Sequence, residues 1–551
     1  MAESPDIFNI AQTLTTAAQD DPNRLAVVAR HLPDSLGRTV ITYSRLAEDS
    51  SKLAGGLLAS GLEPGDRVVV MVPMGLDFFI TVFALFKARL TPVMVDPGMG
   101  LKRMLLCLSE GQPRGFVGVP LAHLACLFWP KYFVTVKKRV ILGRIPPFCG
   151  LKNFKKLLTE YPSLPEQKTD AQDTAAILFT SGATGPAKGA VYTHAMFRAQ
   201  VESLKANFGF KFGGVDMATF PLFALFAPAL GLTSVIPNMN PIKPAKADPR
   251  KLIQSLENEK CDSLFGSPAL LTRLAEHGQA EKLVLKGVRL VITAGAPVRP
   301  ALAEKIGALL EPEARLVTPY GATEGMPLTT VDHLEIEGAR GMTEQGFGMC
   351  VGRPLPGIKL TILPIADQPM ESFKETQTLP VGEIGEITAS GPVICQSYFQ
   401  KPKETAMTLV KGPDGAIWRR MGDLGWQDAQ GRLWFCGRKT QRVVTRQGSL
   451  FTVCCEAIFN NHPKVERSAL VGVGPSGDQK PVMIIEPQKG LKRRQWPELV
   501  EELKKLGLAN PRTRGLEFFL RRDSFPMDIR HNAKIGREKL AVWAAKRLEI
   551  A

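Results

Sequence analysis

AAILFTSGATGPAKGAVYTH, residues 175–194, is the stretch on which the fold turns. Its apolar start reads as a buried strand running into Thr180, Ser181, Gly182, Ala183, Thr184, Gly185, Pro186, Ala187 and Lys188. Glycines there let the backbone bend back and turn N–H groups toward phosphate oxygens. The hydroxyls add donors, and Lys188 adds a point charge. The spacing GxxxxGK[ST] is absent, so this is not a Walker loop. A lone GxxG would be an ordinary strand-to-helix turn. A TSG-TG-K string behind a buried strand asks for an anion.

Working outward, short apolar runs alternate with amphipathic ones. DRVVVMVP (66–73) reads as a strand, LDFFITVFALFKA (76–88) as a helix and TPVMVDP (91–97) as a strand. VRLVITAGAP (288–297) and ARLVTPYGATE (314–324) are apolar runs ending in small residues. This alternation predicts α/β layers with parallel sheets, whose ligands gather at the carboxyl ends of the strands. From Gly382 the texture changes. GEIGEITASGP (382–392) and GRLWFCGRKTQRVVT (431–445) are short strands with glycine turns. Strands VERSALVGVG (465–474) and KPVMIIEP (480–487) follow, then helices WPELVEELKKLG (496–507) and REKLAVWAAKRL (537–548). A chain of 551 residues is too long for one core, since cores stop growing at about 250–300 residues. We therefore expect an N-terminal α/β domain over 1–437, a hinge over 438–441 and a small α+β domain over 442–551.

Composition narrows the class. The start, MAESPDIFNI, lacks a basic residue followed by an apolar run, which argues against a secretory signal. Lys87, Arg89, Pro228 and Pro237 interrupt the most apolar stretches, so no spanning helix is expected. Nine cysteines, paired only as Cys454–Cys455 in sequence, suit a reduced, cytoplasmic chain, and no Cys/His cluster has zinc spacing. The net charge is +16. Residues 112–159 hold no carboxylate, but they hold Lys131, Lys137, Lys138, Arg139, Arg144, Lys152, Lys155 and Lys156 among Phe128, Trp129, Tyr132, Phe133 and Phe148. That mixture suits either a solvated basic face over buried aromatics or a peripheral membrane contact through 131–156. No recognition motif accompanies the charge, so nucleic acid is not expected as a partner.

The phosphate-loop string resembles that of the adenylate-forming superfamily of acyl-CoA synthetases, peptide-synthetase adenylation domains and luciferases. Further motifs follow in that family's order. AGAP (294–297) resembles its adenine-pocket segment, which implies nucleotide contacts from Gly295, Ala296 and Pro297. PYGATE (319–324) resembles the next motif. The resemblance implies Tyr320 stacked on adenine, Gly321 beside it, Thr323 on the α-phosphate and Glu324 on Mg²⁺, with Thr184 also toward the metal. GEIGEI and MGDLG follow, so Asp423 would take the ribose hydroxyls and Arg438 would make a second nucleotide contact. HNAKI puts Lys534 at the family's adenylation lysine, and Gln441 falls at the hinge. The family fold is a large N-terminal domain with a small mobile lid, and its cofactors are ATP and Mg²⁺. Two anions meet when a carboxylate attacks the α-phosphate, so cations and oriented donors supply the main catalytic effect.

Four departures stand out: Ala183 where Ser or Thr is usual, Gln441 at a hinge that is commonly charged, Ala533 before the lysine, and Ala224 where many CoA ligases carry His. The segments FALFAPALGLTSVIPNMNP, LFGSPALL, RLWFCGRKTQRVVT and DIRHNAKIGREKLAVWA are similar to the β-lactone synthetases of bacterial long-chain olefin biosynthesis. That branch implies ATP-dependent activation of a 2-alkyl-3-hydroxy fatty acid, closure to a β-lactone, and association with other enzymes of the pathway. The acid tunnel would be lined by Phe223, Leu225 and Phe226. The alternatives are a long-chain fatty acid–CoA ligase and a fatty acyl-AMP ligase that loads a carrier protein.

Overall fold

Strand Thr174–Thr180 lies near one edge of a seven-stranded sheet in the computed structural model. The model describes residues 8–143, 151–180, 187–527 and 535–549. The sheet runs Lys152–Asn153, Lys138–Ile141, Gly115–Gly118, Arg67–Met71, Thr91–Val95, Thr174–Thr180 and Lys188–Thr193, all parallel except the last pair. That last pair is a hairpin in which Thr180 faces Lys188. The glycine-rich segment therefore joins two antiparallel strands, and a return strand replaces the strand-to-helix turn. This register places Lys188 beside the end of the buried strand.

Helix Leu76–Lys87 starts at Gly75, with Asp77 in its first turn and Lys87 in its last, the charge order that suits the helix dipole. Residues 78–86 are all buried, as a helix apolar on every side must be. A nine-stranded sheet packs alongside; its interior strands, from Arg315–Ala322 to Leu25–Val28, are parallel and its edges antiparallel. Between the sheets runs helix His194–Asn207, started by Thr193, whose hydroxyl accepts from Met196 N at 3.2 Å. A six-stranded, largely antiparallel sheet carries Gly385–Ser390, Ile417–Gln427 and Leu433–Arg438. In it Trp426 faces Trp434, their rings stacked 5.4 Å apart at 10°.

Beyond residue 442 the strands, among the described residues, pair only among themselves. Val443–Thr445 pairs with Gly448–Leu450, and Val465–Val473, Lys480–Pro487 and Phe518–Arg521 form a three-stranded sheet. Helices Trp496–Leu508 and Arg537–Arg547 cover it. Two apolar clusters consist wholly of residues from Val443 onward. Contacts back to the larger part are both apolar and polar: Cys454 is buried in one cluster with Cys350 and Cys436, Asn461 Nδ2 donates to Glu344 O (3.1 Å) and Asn510 Nδ2 to Gln345 O (2.9 Å). Arg512 also lies 4.6 Å over the Phe347 ring.

Helix Pro120–Phe128 is inside out. Ala122, His123, Ala125 and Cys126 face the protein, whereas Leu121, Leu124, Leu127 and Phe128 face outward, Leu121 with 76% of its surface free. No helix among the described residues is long and apolar enough to cross a membrane.

Candidate active site

The carboxyl ends of the central strands open onto a cavity of about 540 Å³. At one end Lys188, Gly295, Gly321, Thr323, Glu324 and Arg438 line it; at the other lie Phe223, Leu225 and Phe226. Strand Arg315–Ala322 and the strand after it, Gly325–Asp332, carry the PYGATE residues to this mouth. Gly321 has φ +158, and a Cβ there would sit 2.4 Å from Gly325 O, so the tight turn that presents Thr323 and Glu324 needs glycine.

The polar end is a chain of charge-assisted contacts. Tyr320 Oη donates to Asp423 Oδ2 at 2.8 Å, and Arg438 Nη1 lies 3.0 Å from Asp423 Oδ1. Glu324 accepts from Tyr398 Oη at 2.6 Å. Lys188 Nζ and Arg419 Cζ lie 5.1 and 4.6 Å from the same Tyr398 ring. Burial pushes the Glu324 carboxyl up, but the Arg419 charge, the Tyr398 hydroxyl and a backbone N–H outweigh it and hold the group below the usual carboxylate range. Glu324 is thus ionised and on the cavity wall, which fits a hard cation. Mg²⁺ needs only one or two protein carboxylates when phosphates complete its shell, so the lack of an acidic cluster among the described residues is no obstacle. Arg419 is buried, and its Nη2 has no hydrogen-bond partner among the described residues, which suits a site that receives anions.

On the same wall, Glu386 joins two cations. Arg420 Nη2 is 2.6 Å from its Oε2 and Lys439 Nζ is 3.0 Å from its Oε1. Lys439 begins the turn Lys439–Gln441. Gln441 is clasped from the last helix, accepting from Arg537 Nη1 at 3.1 Å and donating to Glu538 Oε1 at 3.4 Å.

The residues expected from sequence divide three ways. Lys188, Gly295, Gly321, Thr323, Glu324 and Arg438 meet on the cavity wall with Phe223, Leu225 and Phe226. Tyr320 and Asp423 lie buried behind that wall, bonded to each other; Ala296, Pro297 and Gln441 lie off it. Ser181, Gly182, Thr184, Gly185 and Lys534 lie outside the described residues, and of Thr180 only the strand position is described. Sequence reasoning passed over Arg419, Tyr398 and Gln200. The Arg419–Arg420 doublet ahead of MGDLG was a usable signal, because two adjacent cations inside a strand must each find an anion or a site. Tyr398 and Gln200 carried no signal.

The apolar end has two walls. Helix His194–Asn207 presents Phe197, Gln200, Val201 and Leu204, spaced as one helical face, with Phe86 packed against Phe197 (rings 5.9 Å apart) and Phe83 beside them. The second wall holds Phe220, Phe223 and Phe265, with Phe223 stacked on Phe265 at 4.0 Å and 15°. Ala224 is fully buried in the short helix Pro221–Ala224, so no imidazole stands there.

The family model "AMP-binding enzyme" matches residues 14–399. The chain is 44% identical over 558 residues to the olefin beta-lactone synthetase of Xanthomonas campestris pv. campestris, covering 98% of each. It is likewise 44% identical over 553 residues to that of Stenotrophomonas maltophilia, covering 98% of this chain and 99% of the relative. Among solved structures, an amide bond synthetase from Marinactinospora thermotolerans superposes with a TM-score of 0.78 at 20% identity, covering 97% and 99% of the two chains. An anthranilate CoA ligase in complex with anthranoyl-AMP gives 0.78 at 16% identity, covering 99% of each. These last two establish the fold. The family match and the end-to-end likeness converge: this chain belongs to the AMP-binding enzymes, among the olefin beta-lactone synthetases.

Proposed function

We propose that the protein activates a 2-alkyl-3-hydroxy long-chain fatty acid with ATP and closes the resulting acyl-adenylate to a β-lactone. The observation that carries this reading is one cavity that joins cation-lined strand ends to two apolar walls. The first end suits a nucleotide and the second suits two alkyl arms. The likeness to olefin beta-lactone synthetases supports the choice of product.

In the first step a carboxylate oxygen bonds to the α-phosphorus and pyrophosphate leaves. Lys188 and Arg438 stand where they can offset the added charge, and Thr323 can donate to the α-phosphate. Mg²⁺ held by Glu324, with Thr184, would neutralise phosphate oxygens. Arg438, positioned by Asp423, holds the nucleoside, and Ser181, Gly182, Thr184 and Gly185 complete the phosphate loop. Lys534, brought in by the small domain, bridges the carboxylate and the α-phosphate. We take 438–441 as the hinge of that movement. In the second step the 3-hydroxyl oxygen bonds to the acyl carbon, the bond from that carbon to the phosphate oxygen breaks, and AMP leaves with the electron pair and takes up the hydroxyl proton. Nucleophile and electrophile share one molecule, so proximity supplies much of the drive.

The setting fits a lipid substrate. The outward apolar face of helix Pro120–Phe128 is followed in sequence by exposed Lys131 and Lys137, then by exposed Lys152, Lys155 and Lys156, and no carboxylate interrupts residues 112–159. Exposed leucines and an aromatic ring in a stretch rich in lysines suit an anionic bilayer surface, and we assign the protein a peripheral membrane contact there.

Incubation with ATP, Mg²⁺ and a 2-alkyl-3-hydroxy acid, with and without CoA, tests the reading. AMP and lactone should appear together without CoA. Multiple turnover that requires CoA and yields a thioester would replace this reading with a CoA ligase; turnover that requires a carrier protein would replace it with an acyl-AMP ligase.

A further inference from the structure

Gln200 sits mid-helix in His194–Asn207 with only 5% of its surface free, on the cavity wall. Its Nε2 donates to Met326 O at 2.8 Å, and the amide lies beside the Tyr192 hydroxyl. Its Oε1 is buried and has no hydrogen-bond donor among the described residues. Neighbouring polar groups on the wall are engaged: Tyr192 Oη donates to Thr323 O, Thr219 Oγ1 donates to Phe265 O, and Asp216 Oδ1 accepts from Ser263 Oγ.

A buried acceptor without a donor is destabilising, so a ligand that brings the donor is favoured there. The Met326 contact fixes where this acceptor stands. Met326 is two residues beyond Glu324, at the start of the strand that follows the PYGATE turn. The amide oxygen therefore marks the junction between the reacting end and the apolar walls. An ionised carboxylate is acceptor-only, and alkyl arms donate nothing. On the acid of the proposed reaction, the 3-hydroxyl is the one donor available.

We infer that Gln200 recognises the substrate 3-hydroxyl and sets the preference for 3-hydroxy acids, an inference that rests on the lactone reading above. The hydroxyl donates to Gln200 Oε1, and its oxygen lone pairs are left to face the acyl carbon. A neutral amide is too weak a base to hold the proton, which leaves with AMP. The role of Gln200 is thus to select and orient, and it does so before the ring closes.

The test compares the 3-hydroxy acid with the same acid lacking the hydroxyl, reading kcat/KM for ATP–pyrophosphate exchange. The wild-type protein should favour the hydroxy acid by about ten-fold or more, the range expected when a buried acceptor is left unpaired by the wrong ligand. Gln200→Met keeps the length and removes the acceptor, together with the donor to Met326 O. It should bring the ratio close to one by lowering exchange with the hydroxy acid far more than with the deoxy acid. ATP binding measured without any acid reports an intact fold. Gln200→Asn, which withdraws the amide by one carbon, should give the same loss and serves if the methionine variant folds poorly. A wild-type ratio of one, an unchanged ratio in the variants, or an equal fall for both acids overturns the inference. A wild-type protein that makes no lactone defeats the functional reading instead, so the two failures are distinct.

Discussion

Replacing Glu386 with Gln should be among the most damaging near-isosteric changes in the larger domain. Glu386 and Arg420 side chains are each 1% exposed, and that of Lys439 is 13% exposed. The carboxylate meets both cations, at 2.6 and 3.0 Å. Arg420 Nη1 also reaches Gln368 O at 2.9 Å, and Lys439 Nζ reaches Ala366 O at 2.9 Å. Four segments thus meet at one anion. Glu386→Gln keeps the shape and strands two positive charges out of water. Breaking a buried pair by removing one partner costs about 3–5 kcal/mol. With a urea slope of roughly 3 kcal/mol per molar, the midpoint for the larger domain should fall by about 1 M or more. Urea titration followed by far-UV circular dichroism measures this. Adding Lys439→Met removes one stranded cation, so the double variant should be more stable than Glu386→Gln alone. A single-variant loss under about 1 kcal/mol, or no rescue by the second change, would refute the reasoning.

Lys534→Ala should lower the rate of adenylate formation by orders of magnitude while ATP still binds, because the lost contact is made mainly in the transition state; equal falls in kcat and ATP affinity would argue otherwise. Arg419→Gln removes the charge that offsets burial at Glu324. The carboxyl pKa should then rise, so the acid limb of the adenylation pH profile, where activity fails as pH falls through that pKa, should move to higher pH; an unmoved limb separates Glu324 from the metal. Anionic vesicles should sediment the protein at low salt and release it at high salt, and Leu124→Ser with Leu127→Ser should abolish the binding. Equal sedimentation with neutral vesicles, or capture by a partner enzyme that blocks the same face, would assign helix Pro120–Phe128 another occupant.

Much of this was legible because local signals agreed. The runs at 66–73, 76–88 and 91–97 became strand Arg67–Met71, helix Leu76–Lys87 and strand Thr91–Val95, since each is apolar at its own period and bounded by Gly, Pro or Asp. The return strand Lys188–Thr193 was not legible. Its start, Lys-Gly-Ala, has low strand propensity, and pairing with Thr174–Thr180 decides its form. Helix Pro120–Phe128 hid for the opposite reason. Its leucines point away from the core, so a rule that sends apolar faces inward reads the wrong side. At the candidate site, the motif residues announced themselves through unusual strings. Gln200 did not, because a glutamine on a helix is ordinarily a solvated residue, and only the cavity beside it changes its meaning.

The stacked indoles of Trp426 and Trp434 have a practical consequence. They lie on the strands that hold Asp423 and Arg438, and Trp426 Nε1 donates to Phe347 O at 2.7 Å. Phe347 in turn carries Arg512 of the small domain on its ring. Two chromophores this close and nearly parallel couple their electronic transitions, and the coupling depends on their mutual angle. The protein therefore contains an intrinsic optical gauge, with no label, at the seam where the small domain rests. Rotation of that domain as nucleotide is consumed would register in the near-ultraviolet circular dichroism and indole emission of the unmodified chain, in real time.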